Sequence, residues 1–342
     1  MTLPGSEGAS RRIGPADIAA AIAVVAIWTL FLVLTRQSVK SSFTPWDLAF
    51  VRFGFAAAVV LPVFLWRPAG QRFGKLTMGR ALAVALFAGV GLTCIIFTGL
   101  SFAPAAHAAV LTTGTLPFSV AIFSWWMFGD RIAGRKLLSL GLILLGVLCM
   151  GWYSFVSAAA GAPEGAWRGD ILFPFASASW AVFVVLVRRW GVGAVDATLA
   201  TALISFVIYA PVYLLFLPKQ IMAAPWFDIV WNGVFQGILA LVVSMSLYTR
   251  MVQAFGPSRT TMITAVCPSL AALIAVPVLG EPLSALVLMG LAAVTAGMVV
   301  GVSGRPPAVA AAIVPASALP PASTPAFTSA PTPTPVPVQR VV

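Results

Sequence analysis

The chain is a succession of apolar stretches, each about as long as a bilayer is thick and almost free of charge, and this leaves few folds open. A helix needs about 20 apolar residues to cross the hydrocarbon core, and lipid tolerates only backbone that satisfies its own hydrogen bonds. Runs bounded by charges, Gly and Pro fall at 16–35, 45–66, 80–102, 105–127 and 137–156. A second set falls at 170–188, 196–217, 228–252, 257–279 and 283–302. The pattern predicts an all-α polytopic membrane protein with ten transmembrane helices. Composition removes the alternatives: only 8% of the 342 residues are charged, against about 25% in soluble domains. A mean hydropathy of +1.01 cannot be covered by a polar surface. A soluble enzyme, a secreted disulfide module and a nucleic-acid-binding domain are excluded. The expected surroundings are a lipid bilayer, with no nucleic acid.

The charges sort by side. With the N-terminus placed inside, 15 of the 20 Lys and Arg share its side, against Arg36, Lys40, Arg168 and Lys219 in outer loops and Arg52 within a span. Basic residues gather on the cytoplasmic side, so both termini are expected there, in a cell inner membrane. The net charge of +11 is dispersed in short loops, as suits contact with anionic lipid. The first run, 18–34, lacks a small-residue cleavage site, so it reads as a retained span rather than an export signal. Asp17, Asp47, Asp170, Asp196 and Asp228 stand where spans begin. There a carboxylate caps orphan N–H groups and complements the helix dipole, so they read as helix starts. Cys94, Cys149 and Cys267 lie far apart and His107 is the single histidine, so no metal site or other cofactor is expected. Residues 305–342 hold ten prolines and are expected to stay disordered with polyproline character.

The two sets of runs match each other. Trp28-x-x-Phe31-x-Val33-Leu34-x-Arg36 aligns with Trp180-x-x-Phe183-x-Val185-Leu186-x-Arg188. Asp47 and Pro62 align with Asp196 and Pro211, Phe102-Ala-Pro104 with Phe255-Gly-Pro257, and Thr113 and Pro117 with Thr264 and Pro268. Phe128-Gly129-Asp130 aligns with Leu279-Gly280-Glu281, and all offsets lie between 149 and 153. Five spans per copy is an odd number, so the second copy enters the membrane upside down. Inverted repeats are a construction of secondary transporters, with the binding site near the midplane between halves. The expected divisions are a cytoplasmic segment (1–15), a first five-helix repeat (16–156), an inverted second repeat (170–302) and the Pro-rich tail (305–342).

Two five-span halves, a Trp-x7-Arg ending to the first span of each, and an internal Pro followed by Gly-Asp or Gly-Glu resemble the EamA branch of the drug/metabolite transporter superfamily. Within it they resemble the YddG-like amino acid and metabolite exporters. The resemblance covers residues 16–302 and implies ten helices, cytoplasmic termini, and a central cavity from spans 1, 3, 4, 6, 8 and 9. It implies export of amino acids or other small metabolites. The Pro-rich tail and His107 in the fourth span depart from the pattern.

Several residues could carry transport. Pro117 and Pro268 lack an N–H and free the carbonyls of Thr113 and Thr264, giving each half a kinked helix with polar groups near mid-depth: a hinge with a substrate contact, or a packing kink. Trp28 and Trp180 occupy equivalent positions inside spans 1 and 6, as cavity lining or as core. Tyr248, Gln236 and Ser244 on span 8 add polar groups, for substrate or for helix–helix hydrogen bonding. His107 relays a proton or hydrogen-bonds at the start of span 4. Arg52 snorkels to the interface or anchors a carboxylate, with Asp47 as a possible mate. Gly233-x3-Gly237 and Gly297-x3-Gly301 permit close helix contacts, within one bundle or between two subunits, and so leave monomer and homodimer both open. No acid lies at mid-span, and no Ser–His, metal or paired-carboxylate constellation is present, so no catalytic residues and no enzyme activity are expected. The reading is an exporter of neutral or zwitterionic small molecules, amino acids foremost, working by alternating access. Its rivals are a drug or lipid-precursor exporter and, from another class, a scaffold acting through the tail.

Overall fold

The computed structural model describes residues 13–129, 134–159, 165–255, 260, 263–281 and 284–302, and every regular element among them is helical. The longer ones, in chain order, are α1 (Pro15–Ser41), α2 (Pro45–Trp66), α3 (Met78–Phe102), α4 (Ala105–Phe128), α5 (Gly134–Ala159), α6 (Ala166–Trp190), α7 (Ala194–Phe216), α8 (226–255), α9 (Cys267–Leu279) and α10 (Ala285–Val302). Seven of them, α1 to α4 and α6 to α8, are long and apolar enough to cross a membrane, while α5, α9 and α10 carry shorter apolar stretches. The tail and residues 1–12 lie outside the described residues.

Local chemistry sets the helix starts. Gly14 N–H donates to Asp17 Oδ2 at 3.1 Å at the head of α1. At the head of α2, Thr44 N–H donates to Asp47 Oδ2 (2.9 Å) and Asp47 N–H donates to Thr44 Oγ1 (3.1 Å), a reciprocal capping box. Asp196 and Asp228 stand in the first turns of α7 and α8. Asp170 does not cap: α6 begins at Ala166, one turn earlier. Likewise α1 runs on to Ser41, so Arg36 and Lys40 lie within it and not in a loop. Three helices contain π-helical stretches: Ala85–Val90 in α3, Ala200–Ile204 in α7 and Gly233–Val243 in α8.

Lipid tails are as apolar as leucine, so helices in a bilayer associate through close packing of small residues and through polar contacts. A Cβ on Gly237 would stand 2.6 Å from Arg52 O and 2.9 Å from Ala56 N of α2. A Cβ on Gly146 of α5 would stand 2.5 Å from Gly290 O, and one on Gly297 of α10 would stand 2.9 Å from Ser139 O. Both glycine pairs singled out in the sequence therefore make contacts inside this chain. Ser139 Oγ donates to Gly297 O at 2.7 Å, and the order of these contacts makes α5 and α10 antiparallel. α1 and α8 are antiparallel too: Ser38 Oγ donates to Asn232 Oδ1 (2.8 Å), and Arg250 Nε donates to Asp17 Oδ1 (2.9 Å) at the opposite end.

Where α2 turns towards α3, Gly74 has φ of 61° and lies against the Asp196 carboxylate, which Arg67 Nη1 meets at 2.6 Å. A left-handed backbone costs a non-glycine residue about 1–2 kcal/mol, and a methyl here would fall on Asp196. Gly74→Ala is expected to lower the thermal unfolding midpoint in detergent. Gly79→Ala, where nothing stands within 4 Å of the added carbon, should leave it in place.

Candidate functional site

Arg52 is the sharpest departure from the sequence reading. It does not snorkel and does not pair with Asp47; its side chain stays inside the bundle, 8% exposed, about 10 Å along α2 from Pro45 at 1.5 Å per residue. Asp47 is occupied by its cap, by the Tyr213 hydroxyl (2.5 Å) and by Gln220 N–H (3.1 Å). Four helices enclose the guanidinium. Its carbon lies 5.1 Å from the Phe31 ring centre on α1 and 5.9 Å from that of Phe97 on α3. Nη1 donates to Gln236 O (3.1 Å) and Gln236 Oε1 (3.3 Å) on α8.

The polar chain continues. Gln236, fully buried, donates from Nε2 to Thr35 Oγ1 at 2.8 Å, and Thr35 Oγ1 donates to Phe31 O at 2.5 Å. No acceptor among the described residues meets Arg52 Nε. A charged side chain at bilayer depth costs roughly 2.5–3.5 kcal/mol on insertion scales, and a buried unsatisfied donor about 1–3 more. The bonds to Gln236 and the Phe31 and Phe97 rings offset part of this cost.

The aromatic candidates separate. Trp28 stacks on Tyr248, ring centres 5.2 Å apart at 25°, both half-buried between α1 and α8 beside Ala20, Val24 and Met251. Trp180 is not brought to them. It lies 4.8 Å from Phe183, against a separate cluster that includes Leu76, Ala81 and Val187.

The proline helices also differ from their expected symmetry. Pro117 lies inside an unbroken α4, whereas Pro268 opens α9 behind a turn at Ala265 and Val266. The second half thus has a break where a kink was expected, because Pro is favoured in the first turn of a helix. Thr113 Oγ1 donates to Ala109 O, and Thr264 Oγ1 to Thr260 O (3.2 Å); each hydroxyl is turned back on its own helix. Ser244 Oγ does the same to Ala240 O. Thr29 and Thr112 carry buried hydroxyls without a partner among the described residues.

Two buried pairs mark the end where α1 finishes and α4 begins. His107 Nδ1 lies 2.8 Å from Asp170 Oδ1, with the side chains 4% and 10% exposed, so Asp170 joins α6 to α4. Arg36 Nε donates to Glu281 Oε1 (2.9 Å) and Arg36 Nη1 to Leu100 O (2.6 Å), while Ala105 N–H donates to Glu281 Oε2 (2.9 Å). Two of the repeated motif residues therefore meet each other across the halves. Asp130, the repeat mate of Glu281, lies outside the described residues. Two open grooves of about 580 and 740 Å³ flank α5, α9 and α10; neither is lined by Arg52, Gln236, Trp28 or Tyr248.

Residues 16–152 and 167–302 each match the model of the EamA-like transporter family. The chain belongs to that family. It is a multi-pass membrane protein built of two EamA repeats. The match is to the family as a whole and does not single out the YddG-like exporters. No curated protein matches the chain. A solved structure described as "Crystal structure of protein" shares the fold of this EamA protein, with a TM-score of 0.53 and 19% identity over 83% of this chain and 95% of the other.

Proposed function

We propose that this EamA-like transporter exports small organic metabolites, amino acids foremost, across a cell inner membrane by alternating access between two inverted five-helix repeats. The contact between α5 and α10 carries the mechanism. At an offset of 151, Ser139 and Gly146 of the first repeat correspond to Gly290 and Gly297 of the second. Ser139 meets Gly297, and Gly146 meets Gly290, so exchanging the repeats exchanges the two contacts. A pseudo-two-fold axis in the membrane plane has this effect, and it lets two halves swap conformations about a central site. The antiparallel pair of α1 with α8 has its counterpart in α6 with α3, where Gly169 packs on Gly99 O and Ser179 on Phe87 O.

Sidedness follows from charge. Arg67, Arg80, Arg188, Arg189 and Arg250 stand at the end where α1 begins, which is the cytoplasmic end under the positive-inside rule. The Arg36–Glu281 pair then closes the outer end by tying α1, α3, α4 and α9. The Trp28–Tyr248 stack between the halves offers an aromatic face to cargo.

The test is efflux of a labelled amino-acid panel from loaded proteoliposomes. At least one solute should leave faster than from protein-free vesicles. Trp28→Ala should slow it roughly two- to tenfold, since an aromatic pair contributes about 0.5–1.5 kcal/mol. A panel in which nothing exceeds the protein-free rate overturns amino-acid export.

A further inference from the structure

We propose that the unfilled edge of the Arg52 guanidinium is a carboxylate-binding site, so that the cargo carries a carboxylate beside an apolar or aromatic body. This rests on the transport reading above and narrows it. Each acid among the described residues is engaged elsewhere. Asp17 meets Arg250, Asp170 meets His107, Asp196 meets Arg67 and Glu281 meets Arg36. Asp47 is held by its cap, Tyr213 and Gln220, and Asp228 accepts from Ser42 Oγ at 3.4 Å. Among the described residues, Arg52 therefore has no carboxylate of its own.

Its donors are divided in a particular way. Gln236 takes Nη1 through both its backbone and side-chain oxygens, and is itself held by Thr35. That leaves Nε, buried and without an acceptor, on the edge it shares with Nη2. Those two nitrogens present the parallel donors that meet the two oxygens of a carboxylate at once. Phe31 and Phe97 lie against the guanidinium, so the surroundings are apolar on the sides that do not bond. One cation in such walls balances one negative charge. A phosphate monoester, which carries about −1.5 to −2 at neutral pH, would leave charge stranded there. Carboxylate is the chemistry that fits.

The experiment uses the full chain in detergent and in liposomes, with three probes of one shape: L-phenylalanine, 3-phenylpropionate (no amine) and phenethylamine (no carboxylate), plus inorganic phosphate. Phenylalanine and phenylpropionate should raise the thermal unfolding midpoint, and phenethylamine and phosphate should not. Arg52→Lys keeps the charge but loses the fork, and should weaken carboxylate protection tenfold or more. Arg52→Gln should abolish it. Because both variants disturb a buried network, Gln236→Glu supplies an independent check: it places a carboxylate against Arg52, so it should stabilise the unliganded protein while abolishing protection by phenylpropionate. The inference fails if phenethylamine or phosphate protects as well as phenylpropionate, or if Arg52→Gln keeps wild-type affinity. Efflux of phenethylamine as fast as phenylalanine overturns it while leaving transport intact. Carboxylate protection with no efflux of any probe sinks the export reading instead.

Discussion

Glu281→Gln is expected to lower the unfolding free energy by about 3–5 kcal/mol, the usual consequence of removing one partner of a buried ion pair. Arg36 and Glu281 are 8% and 9% exposed, so the stranded guanidinium cannot reach water to recover its hydration. The loss should come from Arg36 rather than from α4, because the amide oxygen of Gln can still accept from Ala105 N–H. The double variant Arg36→Met, Glu281→Leu separates the two effects: with both charges gone, most of the stability should return. The Arg67–Asp196 pair, 26% and 20% exposed, is the comparison; Arg67→Gln there should cost about 0–1 kcal/mol. Denaturant titration in mixed micelles reads all three. An Arg67→Gln loss as large as that of Glu281→Gln would contradict the assignment.

Gly237→Val is expected to be the more disruptive of two identical substitutions at helical glycines. The added carbons meet backbone atoms of Arg52 and Ala56, which cannot rotate aside. α2 and α8 must therefore separate, breaking the Arg52–Gln236 bonds as they go. Overpacking costs about 1–3 kcal/mol, occasionally more, and this site should lie at the top of that range. Gly141→Val, where nothing stands within 4 Å, should cost nothing measurable, because glycine is itself the poorer helix former. The yield of monodisperse protein by size-exclusion chromatography, together with thermal unfolding, distinguishes them. Equal behaviour of the two variants would remove the close α2–α8 approach from the account.

The membrane class and the paired repeats were legible because they rest on length and periodicity, which survive any detail of packing. Helix ends were less so. Arg36 read as a loop base because charge usually marks the end of a span, but a charge with a buried partner does not have to leave the helix, and its partner, Glu281, is 245 residues away. Asp170 read as a cap for the same reason, while its bond to His107 fixes a different role. Arg52 was visible as the one base inside a span. Its state was not, because whether a cation snorkels or stays depends on Gln236, Phe31 and Phe97, none of them near in sequence. The sequence left Arg52 open as a snorkelling cation or a carboxylate anchor, and its burial against Gln236 removes the first. Trp28 and Trp180 were equivalent as letters, but only Trp28 has a tyrosine to stack on.

The π-helical stretches give the bundle a kind of slack. A π turn holds more residues than an α turn of the same height, so each stretch stores surplus backbone without breaking the hydrogen-bonded column. Moving one surplus residue along the axis turns the segment it passes by about 100°, the angle each residue subtends at 3.6 per turn. The stretch in α8 begins at Gly233, one turn before Gln236, and ends at Val243, just before Ser244 and Tyr248. A slip past Gln236 would swing the side chain that holds Arg52, with the two ends of the helix left where they are.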